Sequence, residues 1–208
     1  VNVYSGEIVG TDIAIADGMI AGFGPRPATR SRSLGGRFVT PGFIDAHVHI
    51  ESAMAVPSEF ARAVLPHGTT AIAADPHEIA NVLGTAGLDY MLEATADLPL
   101  QTFFTLPSCV PATRMETAGA ALSAEDLAPY MHHPRIRGLA EMMDFPGTIK
   151  GTESTLAKIA LAASAGKPVD GHAPGVSGRA LEAYRAAGVA SDHECASRDE
   201  ALEKLRLG

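Results

Sequence analysis

In the stretch PGFIDAHVHIES, residues 41–52, two histidines stand two apart at the end of an apolar run. Side chains of an extended strand alternate faces, so Asp45, His47 and His49 project one way and Ala46, Val48 and Ile50 the other. Pro41-Gly42 before the run and Glu51-Ser52 after it bound a short buried strand that delivers two imidazole nitrogens to one place. Three more residues extend the pattern at the ends of predicted strands: Glu141 in GLAE, His172 in VDGHAPG and His193 in SDHE. Imidazole and carboxylate donors without a thiolate suit Zn²⁺, Fe²⁺ or Mn²⁺, and a carboxylate can bridge two such ions about 3.5–4 Å apart. Two divalent metal ions are therefore the expected cofactors.

Taken singly, these residues have plainer readings. His47 and His49 could be core histidines bonded to backbone, Glu141 a buried salt-bridge acid, and His172 and His193 turn histidines. Their recurrence at strand ends favours ligation by the whole set. His77 and Glu78, in ADPHEIANV, fit equally well a loop turned by Asp75-Pro76 that starts a helix and a pair that contacts substrate. His67 precedes a glycine at a helix end, where the dipole favours it. His132 and His133 read as capping or surface residues, Cys109 as a buried inert thiol in the loop after the third barrel strand, and Met142 and Met143 as core or pocket wall.

The elements that must position these groups are legible as a rhythm. Residues 1–40 read as a small β segment, with strands over VNVY and around the Ala-Asp-Gly turn of TDIAIADGMIAGFG. Residues 41–208 alternate short apolar strands with helical stretches of roughly ten to fifteen residues, the pattern of βα units and a parallel sheet. Six strands are expected: FIDAHVHI, TTAIAADP, QTFFTLP, RIRGLAEMM, KPVDGHAP and GVASDHE. Ser123 with Asp126 approximates a capping box, and Gly68, Gly166 and Gly188 occupy helix-terminating positions. A phosphate-binding glycine loop after the first strand is absent, and functional groups fall at the ends of strands one, four, five and six. Such a ring converges in a closed barrel and not in an open doubly wound sheet. The expected fold is an α/β, incomplete (β/α)8 TIM-type barrel over residues 41–208, preceded by a β-sandwich segment over residues 1–40.

Bulk properties narrow the partners. The 208 residues carry 24 acidic and 16 basic side chains, a formal charge of −8, which disfavours binding to nucleic acid. No apolar run approaches the ~18 residues that cross a bilayer, and two cysteines are too few for a disulfide framework. A cytoplasmic protein with a small-molecule substrate and no membrane contact is expected. About 168 residues follow residue 40, fewer than the ~250 of a complete barrel, and the chain starts at Val1. A segment of a longer protein is therefore expected, with open sheet edges that favour a homo-oligomer.

PGFIDAHVHIES resembles the first-strand motif of the amidohydrolase superfamily. EFARAVLPHGTT, ADPHEIANVLG, PSCVPAT, GLAEMM, VDGHAPG and SDHECAS resemble the bacterial adenine deaminase family, so the likeness runs over nearly the whole chain. It implies a metal-dependent barrel, flanked by a sandwich built from both chain ends, that hydrolyses adenine to hypoxanthine and ammonia. It also implies His47 and His49 on one metal, Glu141 bridging, and His172 with His193 on the second, with Glu141 and His193 as catalytic groups. Relatives acting on cyclic amides bridge their metals with a carbamylated lysine, whereas RIRGLAEMM has none, and the nearest, Lys150, lies beyond the Phe-Pro-Gly turn. The eighth-strand aspartate of the family has no counterpart here. Other amidohydrolases of cyclic amides or aminopurines, and a metal-binding segment without turnover, are the competing expectations.

Overall fold

The computed structural model describes residues 1–113 and 115–208. The chain forms two compact units, Val1–Gly42 and Phe43–Gly208. In the first, β1 (Ile13–Ala16) and β2 (Met19–Phe23) make an antiparallel hairpin. Asp17 and Gly18 turn it, both at positive φ (50° and 75°), as a two-residue type I′ connection requires. The strand expected over VNVY does not form. The Asn2 side chain accepts from the N–H groups of Tyr4 and Ser5, leaving one bridge between Asn2 and Glu7, because a local side-chain acceptor outcompetes a ladder.

The second unit runs β3 (Phe43–Val48), α1 (Pro57–Val64), β4 (Thr69–Ala74), α2 (His77–Leu83), α3 (Thr85–Ala94), β5 (Gln101–Leu106), α4 (Ala124–Leu127), β6 (Ile136–Met142), α5 (Phe145–Lys150), α6 (Glu153–Ser164), β7 (Val169–Gly171), α7 (Gly178–Ala186) and α8 (Arg198–Arg206). Its five strands are parallel and ordered β3-β4-β5-β6-β7, each new strand joining the same edge. That order never reverses, so the sheet lacks the switch point of a doubly wound fold and is a curled part of a TIM-type barrel.

The capping box at Ser123 and Asp126 is present, and Gly68, Gly166 and Gly188 all take positive φ. α2 starts at His77, directly after the Asp75-Pro76 turn, in line with one of the two readings of that stretch. One helix exceeds the sequence expectation: α5 spans the Phe-Pro-Gly turn because Asp144 accepts from Gly147 N–H while Pro146 sits in the first turn, where a missing N–H costs nothing.

The sixth expected strand, GVASDHE, is not part of the sheet. Ala190 N–H reaches Val169 O at 2.9 Å, but the N–H of Ala173, which a continuing ladder would use, goes to the Asp192 carboxylate at 3.1 Å. The chain still passes close to β7: a side chain at Gly171 would collide with Ser191 O, so only glycine fits there.

β6 is buried along nearly its whole length, as expected of an inner parallel strand covered on both faces. Phe104 of β5, 1% exposed, anchors the core with Ile72, Leu106, Leu139 and Met142. Replacing Phe104 with Ala should cost about 3–5 kcal/mol of stability through lost burial and an unfilled cavity, read from urea unfolding. A loss under about 1 kcal/mol would show that this sheet does not carry the core.

Candidate metal centre

His47 and His49 leave the end of β3 on one face, and their Nε2 atoms lie 3.0 Å apart. Glu141, at the end of β6, is 3% exposed and stands beneath them. Its Oε1 lies 3.7 Å from His49 Nε2 and 3.4 Å from His77 Nδ1. Its Oε2 lies 2.7 Å from His172 Nδ1, 3.0 Å from His193 Nε2 and 3.9 Å from His47 Nε2. One carboxylate thus touches every imidazole of the set.

Carboxylates and carbonyls behind the rings set their tautomers. His49 Nδ1 meets Asp75 O at 2.9 Å, and a carbonyl only accepts, so Nδ1 carries the proton. His47 Nδ1 faces Asp170 Oδ2 at 3.3 Å and must likewise donate. Neutral His47 and His49 therefore present bare lone pairs to each other at 3.0 Å. That arrangement needs a positive charge between them, a proton or a metal ion. Ligands of one tetrahedral zinc are about 3.3 Å apart for metal–nitrogen bonds of about 2.0–2.1 Å, and the spacings around Glu141 straddle that value. The donor set fits a divalent metal.

Three groups have donor atoms within 4.8 Å of one another: His49, Asp75, His77 and Glu141; His47, Asp170 and His193; and Glu141, His172 and His193. His47 and His193 stack at 3.8 Å, both backed by Asp170, whose other oxygen accepts from Ser191 Oγ. Burial resists charge on Glu141, yet its hydrogen bond to His172 and the surrounding imidazoles hold its carboxyl below the ordinary value. The hydrogen bond to Asp170 raises His47 against the opposing effect of burial. His77 is also opposed by burial, but its bond to Asp75 and the nearby acids lift it to about 9. Burial pushes Asp75 up, and its Oδ1 has no partner.

The fold brings together His47, His49, Glu141, His172 and His193, with His77 beside them. Glu78 is not in the cluster; its Oε1 accepts from Ser52 Oγ at 2.5 Å in the loop after β3. Asp170 and Asp75 are the residues that sequence reasoning passed over. Asp170 stands two before His172, hence on the same strand face, and Asp75 stands two before His77. Asp45 lies on the side expected of it but serves its own strand, accepting from His47 N–H at 3.2 Å. Cys109 is buried beside Ser108 and Met142, its thiol pushed up by burial, and Ser108 Oγ donates to the main-chain oxygen of Glu141 at 2.5 Å. No helix among the described residues is long and apolar enough to cross a membrane.

A parallel sheet of barrel type with imidazoles and a carboxylate gathered at its strand ends defines a class, and comparison agrees. Residues 38–208 match the amidohydrolase family, and the chain belongs to it. It is 56% identical over its full length to the adenine deaminase of Desulfatibacillum aliphaticivorans, covering 37% of that protein. It is 54% identical to adenine deaminase 2 of Carboxydothermus hydrogenoformans and 50% identical to the adenine deaminase of Geobacillus kaustophilus, covering 36% of each. The chain thus spans little more than a third of the length of the relatives it matches.

Proposed function

We propose that this chain supplies five ligands of a two-metal centre that deaminates adenine hydrolytically to hypoxanthine and ammonia, as a segment of a longer enzyme. The observation that carries the reading is the convergence of His47 Nε2 and His49 Nε2, 3.0 Å apart, on the Glu141 carboxylate that also contacts His172 and His193. His47 and His49 would hold one ion, His172 and His193 the other, and Glu141, within 4 Å of all four, would serve both. Mn²⁺, Fe²⁺ and Zn²⁺ all suit this donor set. Bound there, such ions supply Lewis acidity and a nucleophile from water at neutral pH.

The chain's own groups do the rest. Asp75 O and Asp170 hold the rings of His49, His47 and His193 in place. Glu141 and His193, in contact at 3.0 Å, are also the proposed catalytic groups. His77 holds its Nδ1 proton between Asp75 and Glu141 and, with Glu78, would meet the polar edge of the purine. The names of the relatives support adenine over other aminopurines. Residues 1–40 would then contribute to a β-sandwich, and the open edges of the barrel segment to a homo-oligomer in the cytoplasm.

The test is to load the chain with each metal, count the metal bound, and measure ammonia from adenine beside cyclic amides and other aminopurines. Two equivalents per chain and ammonia from adenine alone are expected, with at least one equivalent and the ammonia lost in a His47→Ala, His49→Ala variant. Metal without ammonia would confine the role of these residues to binding. Folded protein that takes up no metal would sink the ligand assignment.

A further inference from the structure

The segment that carries His193 is held in place without a β ladder, and the groups that hold it converge on one lysine. Lys204, on α8, points its ammonium inward with only 10% of the side chain exposed. Its three hydrogens meet three acceptors: Ala173 O at 2.8 Å, Asp192 Oδ2 at 2.8 Å and Glu200 Oε1 at 2.7 Å. Ala173 follows His172, and Asp192 precedes His193. Asp192 closes the circuit, its Oδ2 accepting from Ala173 N–H at 3.1 Å and its Oδ1 from Glu194 N–H at 2.9 Å.

We propose that Lys204 is a positioning residue for His172 and His193, tying the two loops that carry them into one rigid unit. The proposal rests on the reading of those histidines as metal ligands. Two further observations support it. α8 contains no buried residue, so polar contacts and not a hydrophobic face attach it: Glu200 accepts from Gly175 and Ala196 N–H, and Glu203 from Gly178 N–H. The carboxylates are at least as enclosed as the amine, with Asp192 7% and Glu200 9% exposed. Loss of the cation would leave the Asp192 and Glu200 carboxylates without their counter-charge and Ala173 O without its side-chain donor, and the 191–196 segment, which has no β ladder to hold it, is the part that would shift in response. His193 would move with it.

The experiment compares wild type with Lys204→Met, which keeps the length without the charge, and Lys204→Arg, which restores charge. Asp192→Asn breaks the same circuit from the other side should Lys204→Met fail to fold. The first readout is amide exchange in the metal-free chain: Lys204→Met and Asp192→Asn should speed exchange across residues 171–175 and 190–196 about tenfold or more, with β5 unchanged. The second is Mn²⁺ titration: affinity should fall about 10–100-fold, with partial recovery in Lys204→Arg. Unchanged exchange in the two loops would overturn the proposal. So would faster exchange with wild-type metal affinity, since the lysine would then stabilise loops without placing ligands. A wild-type chain that binds no metal would overturn the metal reading instead, and the metal-free exchange would still decide whether Lys204 ties the loops.

Discussion

Replacing Glu141 with Gln is expected to weaken divalent metal binding by more than about 100-fold, beyond what loss of a supporting contact alone produces. The side chain is central: its two oxygens lie within 4 Å of His47, His49, His77, His172 and His193. Gln keeps the shape but removes the negative charge and one of the two acceptor oxygens, so it cannot offer an anionic donor to both sides. Without metal the cost should be smaller, about 1–3 kcal/mol, as the contacts to His172 and His193 weaken. Calorimetric titration and denaturant unfolding of the same protein separate the two quantities. A Glu141→Gln chain that binds metal with wild-type affinity and stoichiometry would refute the bridging role.

Metal loading should raise the thermal midpoint of unfolding, and chelation should reverse it. An ion present at 100 times its dissociation constant stabilises the state that binds it by about 2.7 kcal/mol. For a domain of this size that corresponds to roughly 5–10 °C. The physical source is in the site, where His47 Nε2 and His49 Nε2 lie 3.0 Å apart beside the Glu141 carboxylate, a spacing that a shared cation can bind. A His47→Ala, His49→Ala chain lacks these two donors and should show a much smaller rise. Scanning calorimetry across a Mn²⁺ or Zn²⁺ series with a chelator control makes the measurement, and equal shifts in both proteins would place the metal elsewhere.

Much of the centre was legible in the sequence because it depends on short-range geometry. His47 and His49 share a face through strand alternation alone, whatever the strand packs against. The capping box at Ser123 and the glycines that end helices are equally local. The misreadings involve competition between distant groups. GVASDHE has the composition of a strand, yet whether it joins the sheet depends on which acceptor captures Ala173 N–H, and Asp192 captures it. Asp170 went unweighed because one aspartate in a strand carries no signal until His47 and His193 are seen to stack against it. The Phe-Pro-Gly stretch reads as a turn, but Asp144 supplies the cap that makes it a helix.

By itself, then, the sequence determined the βα rhythm, the placement of imidazoles and a carboxylate at strand ends, and the family, since all of these follow from residue type and spacing along the chain. Only the tertiary structure decided that Glu141 reaches every histidine of the set, that Asp75 and Asp170 orient them, and that Lys204 holds the last two loops together. Those facts depend on which surfaces meet when the sheet curls, and contacts between residues dozens of positions apart are set by that closure and not by any local preference.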